Sequence, residues 1–357
     1  MKLFTIKFAL IALIATTILP SCSKDNTEPE EVIKKTTGVY ILNSGKMGNN
    51  NASLSYYDFT SKKVTANLFA SLNGKKIGDT GNDMIIYGGK MYIGATNSSI
   101  IFVTDLNGKL IKEITVMGEK ANLSPRHFTT GDGKVYVSYF EGYVGQIDTT
   151  NFSVNSVKVG TLPEGIIYVG GKVYVANSDG YNYPYGTTVS VLNASTMKVI
   201  KEITVSNNPQ TFHLDSEGDL YLISWGDYGK IPASLQKINL ATYEVTPIKD
   251  VVPTNMAIGK DNKAYIISSV YDANWKQTIK YYLFDTKTDT VVKEFVSSDI
   301  VKNGYCIFTD PTNGYVYIGC SDYVSNGDMY LFMPDGTFVE KFDTGGLNPI
   351  KVCYLAK

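Results

Sequence analysis

The sequence predicts an all-β fold: a seven-bladed β-propeller of four-stranded blades, closed by a C-terminal strand that completes the first blade. Three observations predict it. A tyrosine-centred phrase recurs seven times, its spacing is that of one blade, and the end of the chain supplies the strand its beginning lacks. The phrase is a Gly- or Asn-containing turn followed by an apolar-Tyr-apolar strand. It is centred on Tyr40, Tyr92, Tyr136, Tyr174, Tyr221, Tyr265 and Tyr317, at steps of 52, 44, 38, 47, 44 and 52 residues. Four-stranded propeller blades repeat every 40–50 residues or so, roughly the same interval.

Each unit divides into strands A to D. Strand A often opens with proline, at Pro125, Pro163, Pro209 and Pro253, because a strand's first residue can lack its N–H without losing a ladder bond. Strand B is the tyrosine phrase. Strand C includes Ile100 to Asp105, Val189 to Asn193 and Tyr281 to Asp285, each followed by a polar turn. Strand D alternates apolar and polar residues, as in Leu110 to Val116 and its near copy Val199 to Val205. That alternation marks a half-exposed strand on a blade's outer rim. The first unit begins at strand B, and the last complete unit ends near Phe342. Asn348 to Leu355 then reads as a spare strand A that closes the ring, leaving only short, protected edges.

The first residues read as a targeting signal rather than as fold. Lys2 and Lys7 precede an apolar run from Phe8 to Leu19, which ends at Pro20-Ser21-Cys22. This is the basic, apolar, small-residue order of a secretory signal, and the run is shorter than the roughly 20 residues that span a bilayer. Leu19-Pro20-Ser21-Cys22 looks like a bacterial lipobox, which implies a lipidated Cys22; the expected organisation is a signal peptide over 1–21, a lipidated flexible tether over 22–36, and the propeller over 37–357. Residues 23–31 are polar, acidic and Pro-containing, a composition that favours an unfolded linker.

Net charge is −1, and loss of Lys2 and Lys7 brings it to −3. No basic excess is left to neutralise phosphates, so nucleic acid is not an expected partner. Besides Cys22 there are Cys306, Cys320 and Cys353, all in strand-like surroundings and without Cys-x-x-Cys metal spacing. They read as small buried apolar residues, with a Cys306–Cys320 bridge across one hairpin as the alternative. The two histidines, His127 and His213, both fall in strand A and read as core residues. Asp83 and Glu164 lie where axial metal sites draw carboxylates but lack an evident set of partners. No cofactor, metal or catalytic set is expected.

Function is expected on the face that carries the B–C loops and the D-to-A connections. The A–B turns on the other face are tight, whereas the B–C loops are long and aromatic. Blade three offers Tyr139, Phe140 and Tyr143, and blade four Tyr181, Tyr183 and Tyr185. Blade five offers Trp225 and Tyr228, blade six Trp275, and blade seven Tyr323. Tyr and Trp present apolar area with one hydrogen-bonding tip and little rotamer entropy to lose. Arg126, Asn82, Asn208 and Asn255 add hydrogen-bonding groups to the same face.

The recurring Pro-x-x-apolar strand and the Gly-Lys-Val-Tyr-Val-Ala-Asn phrase at residues 171–177 resemble YncE-type and surface-layer-type propellers, over essentially the whole chain after the leader. With Leu19-Pro20-Ser21-Cys22, which looks like a lipobox, and the acidic tether, the chain is similar to surface lipoproteins of the Bacteroidetes, including the BtuG type. That resemblance implies an outer-membrane protein, lipid-anchored at Cys22 and facing the cell exterior. It would capture cobalamin or another corrinoid for a TonB-dependent outer-membrane barrel, without enzymatic activity. A propeller lyase or lactonase, and an adhesion or glycan-binding scaffold, are the alternatives.

Overall fold

A computed structural model describes residues 35–272, 274 and 276–356. The signal peptide, Cys22, the tether up to residue 34, Trp275 and Lys357 lie outside the described residues.

Seven four-stranded antiparallel sheets form the ring of a β-propeller. Blade 2 is Gly81–Tyr87, Lys90–Ala95, Ile100–Asp105 and Leu110–Ile114, and blade 3 is Pro125–Gly131, Lys134–Tyr139, Tyr143–Asp148 and Val154–Lys158. Blade 4 is Pro163–Val169, Lys172–Asn177, Thr188–Asn193 and Lys198–Thr204, and blade 5 is Pro209–Leu214, Leu220–Ser224, Ser234–Ile238 and Val245–Ile248. Blade 6 is Asn255–Ile258, Lys263–Tyr271, Gln277–Asp285 and Thr290–Glu294, and blade 7 is Gly304–Thr309, Val316–Cys320, Asn326–Phe332 and Phe338–Leu347. In blade 1 the chain's last strand, Pro349–Ala356, pairs with Thr36–Asn43, followed by Ser53–Asp58 and Lys63–Thr65. The outer strand of blade 7 runs to Leu347, beyond the Phe342 suggested by the sequence. Asp343 and Leu347 still pair with Asp328 and Asn326 through an irregular stretch that contains Gly345 at φ +72°. The chain joins the ring at Thr36, the first residue of a strand B. It therefore enters on the face of the A–B turns, opposite the B–C loops.

A blade has two apolar faces and cannot bury either alone. Seven hydrophobic clusters solve this, each made by two neighbouring blades. The repeated tyrosine sits in every one, at most 3 % exposed. Its ring lies between blades, and in three of the seams its hydroxyl donates to the C–D turn of the next blade. Tyr40 donates to Leu106 O, Tyr221 to Thr286 O at 2.9 Å and to Asp289 Oδ1 at 2.8 Å, and Tyr265 to Pro334 O at 3.1 Å. In blade 3, Gln146 donates both to the Tyr136 hydroxyl, at 3.2 Å, and to Ala194 O in the next blade, at 2.8 Å. The hydroxyl of Tyr92 is buried without a partner. Across the closing seam Tyr57 stacks on Phe342 with ring centroids 3.8 Å apart, and Glu340 accepts from Tyr57 and Lys62.

Cys306, Cys320 and Cys353 are free and buried. The alternative of a Cys306–Cys320 bridge is thereby corrected. The Cys306 thiol donates instead to Pro349 O in the closing strand, at 3.1 Å. Strand pairing sets Gly304, not Cys306, opposite Cys320.

The tyrosines predict a contrast. Tyr221→Phe leaves the buried Thr286 O without its phenol donor, while Asp289 keeps Lys237, and should lower unfolding free energy by about 1–2 kcal/mol. Tyr92→Phe removes an unpartnered hydroxyl and should leave stability within about 0.5 kcal/mol of the parent or raise it. Urea titration of both variants checks this; equal losses would count against the inter-blade bond.

Candidate functional site

The inner strands are built alike where they reach the loop face. Six of the seven carry a register shift at that point, absorbing an extra residue against strand B. Bulges bend a strand and re-aim its side chains. The second residues of these strands are Asn82, Arg126, Glu164, Gln210, Tyr305 and Ile350, and the third are Asp83, His127, Gly165, Thr211, Cys306 and Lys351. Most of these positions gather about the axis at the loop face, the mouth of the ring, whereas Ile350 packs on the blade 1–2 cluster and Cys306 is buried. Gly165 is required there: a Cβ would stand 2.1 Å from Gln210 O, so the inner strands of blades 4 and 5 touch through backbone.

Four adjacent blades are joined at this level by charge. Arg126 makes a bidentate pair with Glu164 through Nε and Nη2, at 2.7–2.9 Å, and its Nη1 donates to Asn82 Oδ1 at 3.0 Å. Asn82 returns a bond to Arg126 O at 2.7 Å. Lys351, from the closing strand, lies 2.8 Å from Asp83 Oδ1. Asp83 also accepts from the backbone N–H of Met84 and of Phe128, both at 2.8 Å. His127 stands between the two carboxylates, 3.6 Å from Asp83 and 3.7 Å from Glu164. Both carboxylates are thus engaged by cations.

Burial opposes ionisation of Asp83, but the Lys351 ammonium and the His127 contact outweigh it and hold the carboxyl well below its usual range. Burial likewise opposes the Lys351 charge, and Asp83 reverses the effect, so the amine titrates above its ordinary value. His213, half-buried on the opposite wall, contacts Thr211 Oγ1 at 3.1 Å. Burial, and then the charge of Lys351, lower its pKa from 6.5 to about 4. Tyr305 faces the mouth near Arg126, and burial raises its phenol to about 12.

Above this charged floor stands an arc of rings. Arg126 lies 5.7 Å from the centre of the Phe140 ring, and Phe140 meets Tyr181 edge-on at 5.4 Å. Tyr183, Tyr185 and Tyr228 form a second edge-on chain, at 5.8 and 5.7 Å. Tyr305 and Tyr323 make a third pair at 5.7 Å. Tyr181, Tyr183, Tyr228 and Tyr323 remain 74, 79, 59 and 61 % exposed. Each edge-to-face contact covers one face of one ring and leaves much of the remaining ring surface to solvent.

The other expected site residues are placed differently. Tyr139 is fully buried in the cluster between blades 2 and 3: it is the last residue of a strand B and its register turns it inward. Tyr143 donates to Glu119 in the connection from blade 2 and lies beneath Lys158, so its hydroxyl is spent on the flank. Trp225 is half-buried against the blade 5–6 cluster and donates to Thr254 O at 3.1 Å, anchoring its loop. Asn208 is fully buried and accepts from Ser178 and Gln210. Asn255 donates to Tyr305 O at 3.1 Å. Sequence reading missed Lys351, Thr211 and Tyr305 as mouth residues. Aligning the openings Pro349-Ile-Lys, Pro125-Arg-His and Gly81-Asn-Asp would have put Lys351 level with His127 and Asp83.

Residues 37–321 match the protein family described as "Domain of unknown function (DUF5074)". The chain belongs to the DUF5074 family. No curated protein matches it. Among solved structures, this DUF5074 propeller resembles the hydrazine synthase of Kuenenia stuttgartiensis, at 17 % identity and TM-score 0.59, over 74 % of this chain and 85 % of that one. It also resembles the Neurospora crassa Pan2 WD40 domain, at 10 % and 0.53, over 71 % and 76 %. Dihydro-heme d1 dehydrogenase NirN in complex with DHE matches at 10 % and 0.53, over 87 % and 75 %. Likeness at this level of identity shows the fold alone.

The axial cluster predicts a pH response. Between pH 6.5 and about 4 the unfolded chain protonates His213 while the folded chain does not, so stability falls as pH falls through that window. Asp83 keeps its contribution across it, because its ordinary pKa of 3.8, at which the unfolded chain would begin to take up that proton, lies below the window. His213→Gln should flatten the dependence by up to one proton, read from urea midpoints at pH 7, 5.5 and 4.5. An unchanged slope would show that His213 is not the group responsible.

Proposed function

We propose that this DUF5074 propeller is a binding protein that captures a large, flat, amphipathic ligand on its B–C face, without chemistry. The resemblance of the sequence to BtuG-type lipoproteins makes a corrinoid the first candidate. It also suggests a role at the outer surface beside a TonB-dependent barrel, with Cys22 as the lipid anchor. The observation that carries the reading is the arc of exposed Tyr181, Tyr183 and Tyr228 with half-buried Tyr185, over a floor whose charges are already paired. Such a floor offers hydrogen bonds to neutral groups without an unmatched charge, and the rings supply apolar contact at low entropic cost. Arg126 and Asn82 would contact the ligand's polar edge, with Phe140 and Tyr323 at the margin of the face.

A second reading, a glycan or protein partner, is favoured by how far the rings protrude: Val324 beside Tyr323 is 86 % exposed. Titration calorimetry of the chain lacking residues 1–22 separates the two. Cyanocobalamin should bind one-to-one, and Tyr183→Ala and Tyr228→Ala should each weaken it about 5- to 30-fold, as aromatic anchors do. Tyr139→Phe, at a buried position, should leave affinity unchanged. Absence of heat with any corrinoid would discard the cobalamin reading and turn the search to glycans.

A further inference from the structure

The seam between blades 7 and 1 differs from its neighbours. Tyr317 makes none of the carbonyl bonds that hold Tyr40, Tyr221 and Tyr265. Its hydroxyl is buried and unpartnered, and so are the Tyr354 hydroxyl and Asp310 Oδ2. The three belong together. The rings of Tyr317 and Tyr354 meet edge-on at 5.3 Å, and both phenols are pushed upward by burial and, further down, by the Asp310 charge beside them. Buried polar groups cost free energy when unpaired, and three in one place need a common partner.

We propose that Asp310 Oδ2, Tyr317 Oη and Tyr354 Oη hold one internal water molecule as a constitutive part of ring closure. A water has two protons and two lone pairs, which suits one acceptor-only carboxylate oxygen and two phenols that both donate and accept. Buried waters make about three such bonds to otherwise unsatisfied groups. A cation is disfavoured because the carboxylate charge is already dispersed. Asp310 Oδ1 accepts from Thr36 Oγ1 at 2.9 Å and from the Thr312 N–H and hydroxyl, both at 2.8 Å. The same A–B turn in blade 5 carries Asp215, whose Oδ2 is also buried and unpartnered. A turn carboxylate with one free inner oxygen is therefore a repeated device. At the closing seam it gathers Thr36, where the chain enters the ring, Tyr354 from the last strand and Tyr317 from blade 7. The water takes the place of the missing tyrosine bond.

A high-resolution crystal structure of the protein, with a rubidium soak, tests this. The expected result is one density peak within about 2.6–3.2 Å of all three oxygens, with no anomalous signal after the soak. The Tyr317→Phe/Tyr354→Phe double variant should lose the peak and speed amide hydrogen exchange over residues 36–43. Tyr354→Phe alone serves the same purpose if the double variant fails to fold. An empty seam, direct phenol–carboxylate bonds, or a rubidium peak in that position would each overturn the proposal.

Discussion

Everything in this protein depends on burying the flat face of one sheet against the next, seven times, without leaving a sheet over. The repeated tyrosine is the residue that does it. A ring in the seam supplies apolar area, and a hydroxyl at its far end can reach the turn of the neighbouring blade, so one side chain fixes both the spacing and the tilt of two sheets. Leucine at the same position would fill the seam but could not bind the turn. The outer strands contribute less: residues 198–204 are almost wholly exposed, so cohesion lies toward the axis and in the seams.

Ring closure imposes the second condition. The last strand must insert as the inner strand of the first blade, and it brings Lys351 to Asp83. Closure and assembly of the axial cluster are therefore one event. Lys351 cannot reach its partner until the ring is complete, and Asp83 would remain a buried charge without it. The bulges at the mouth follow the same logic. They turn the second and third residues of the inner strands toward the channel, where the edge of the sheet would otherwise present only backbone.

The blade count, the strand order and the closing strand were legible in the sequence because they rest on period and pattern. Tyr40 to Tyr317 mark the blades, and Asn348 to Leu355 can serve only as a missing strand. The site was legible by region more than by residue. Arg126, Asn82 and the tyrosines of blades 4 and 5 do come to one face. Tyr139 does not, because whether the last residue of a strand points up or inward depends on a half-turn of register that composition does not encode. Trp225 is a related case: an indole N–H that finds a backbone carbonyl makes a loop anchor, and no local sequence shows that Thr254 O stands within reach. Lys351 was hidden by its distance along the chain from Asp83, across nearly the whole ring.

The point where the chain joins the ring carries a consequence for orientation. Thr36 enters among the A–B turns, on the side away from the aromatic loops. A support that grips this protein by its N-terminal side therefore meets the blunt, tight-turned side first and leaves the ring-studded side looking outward. A docking partner that reads the rings would then approach from the hemisphere opposite Thr36.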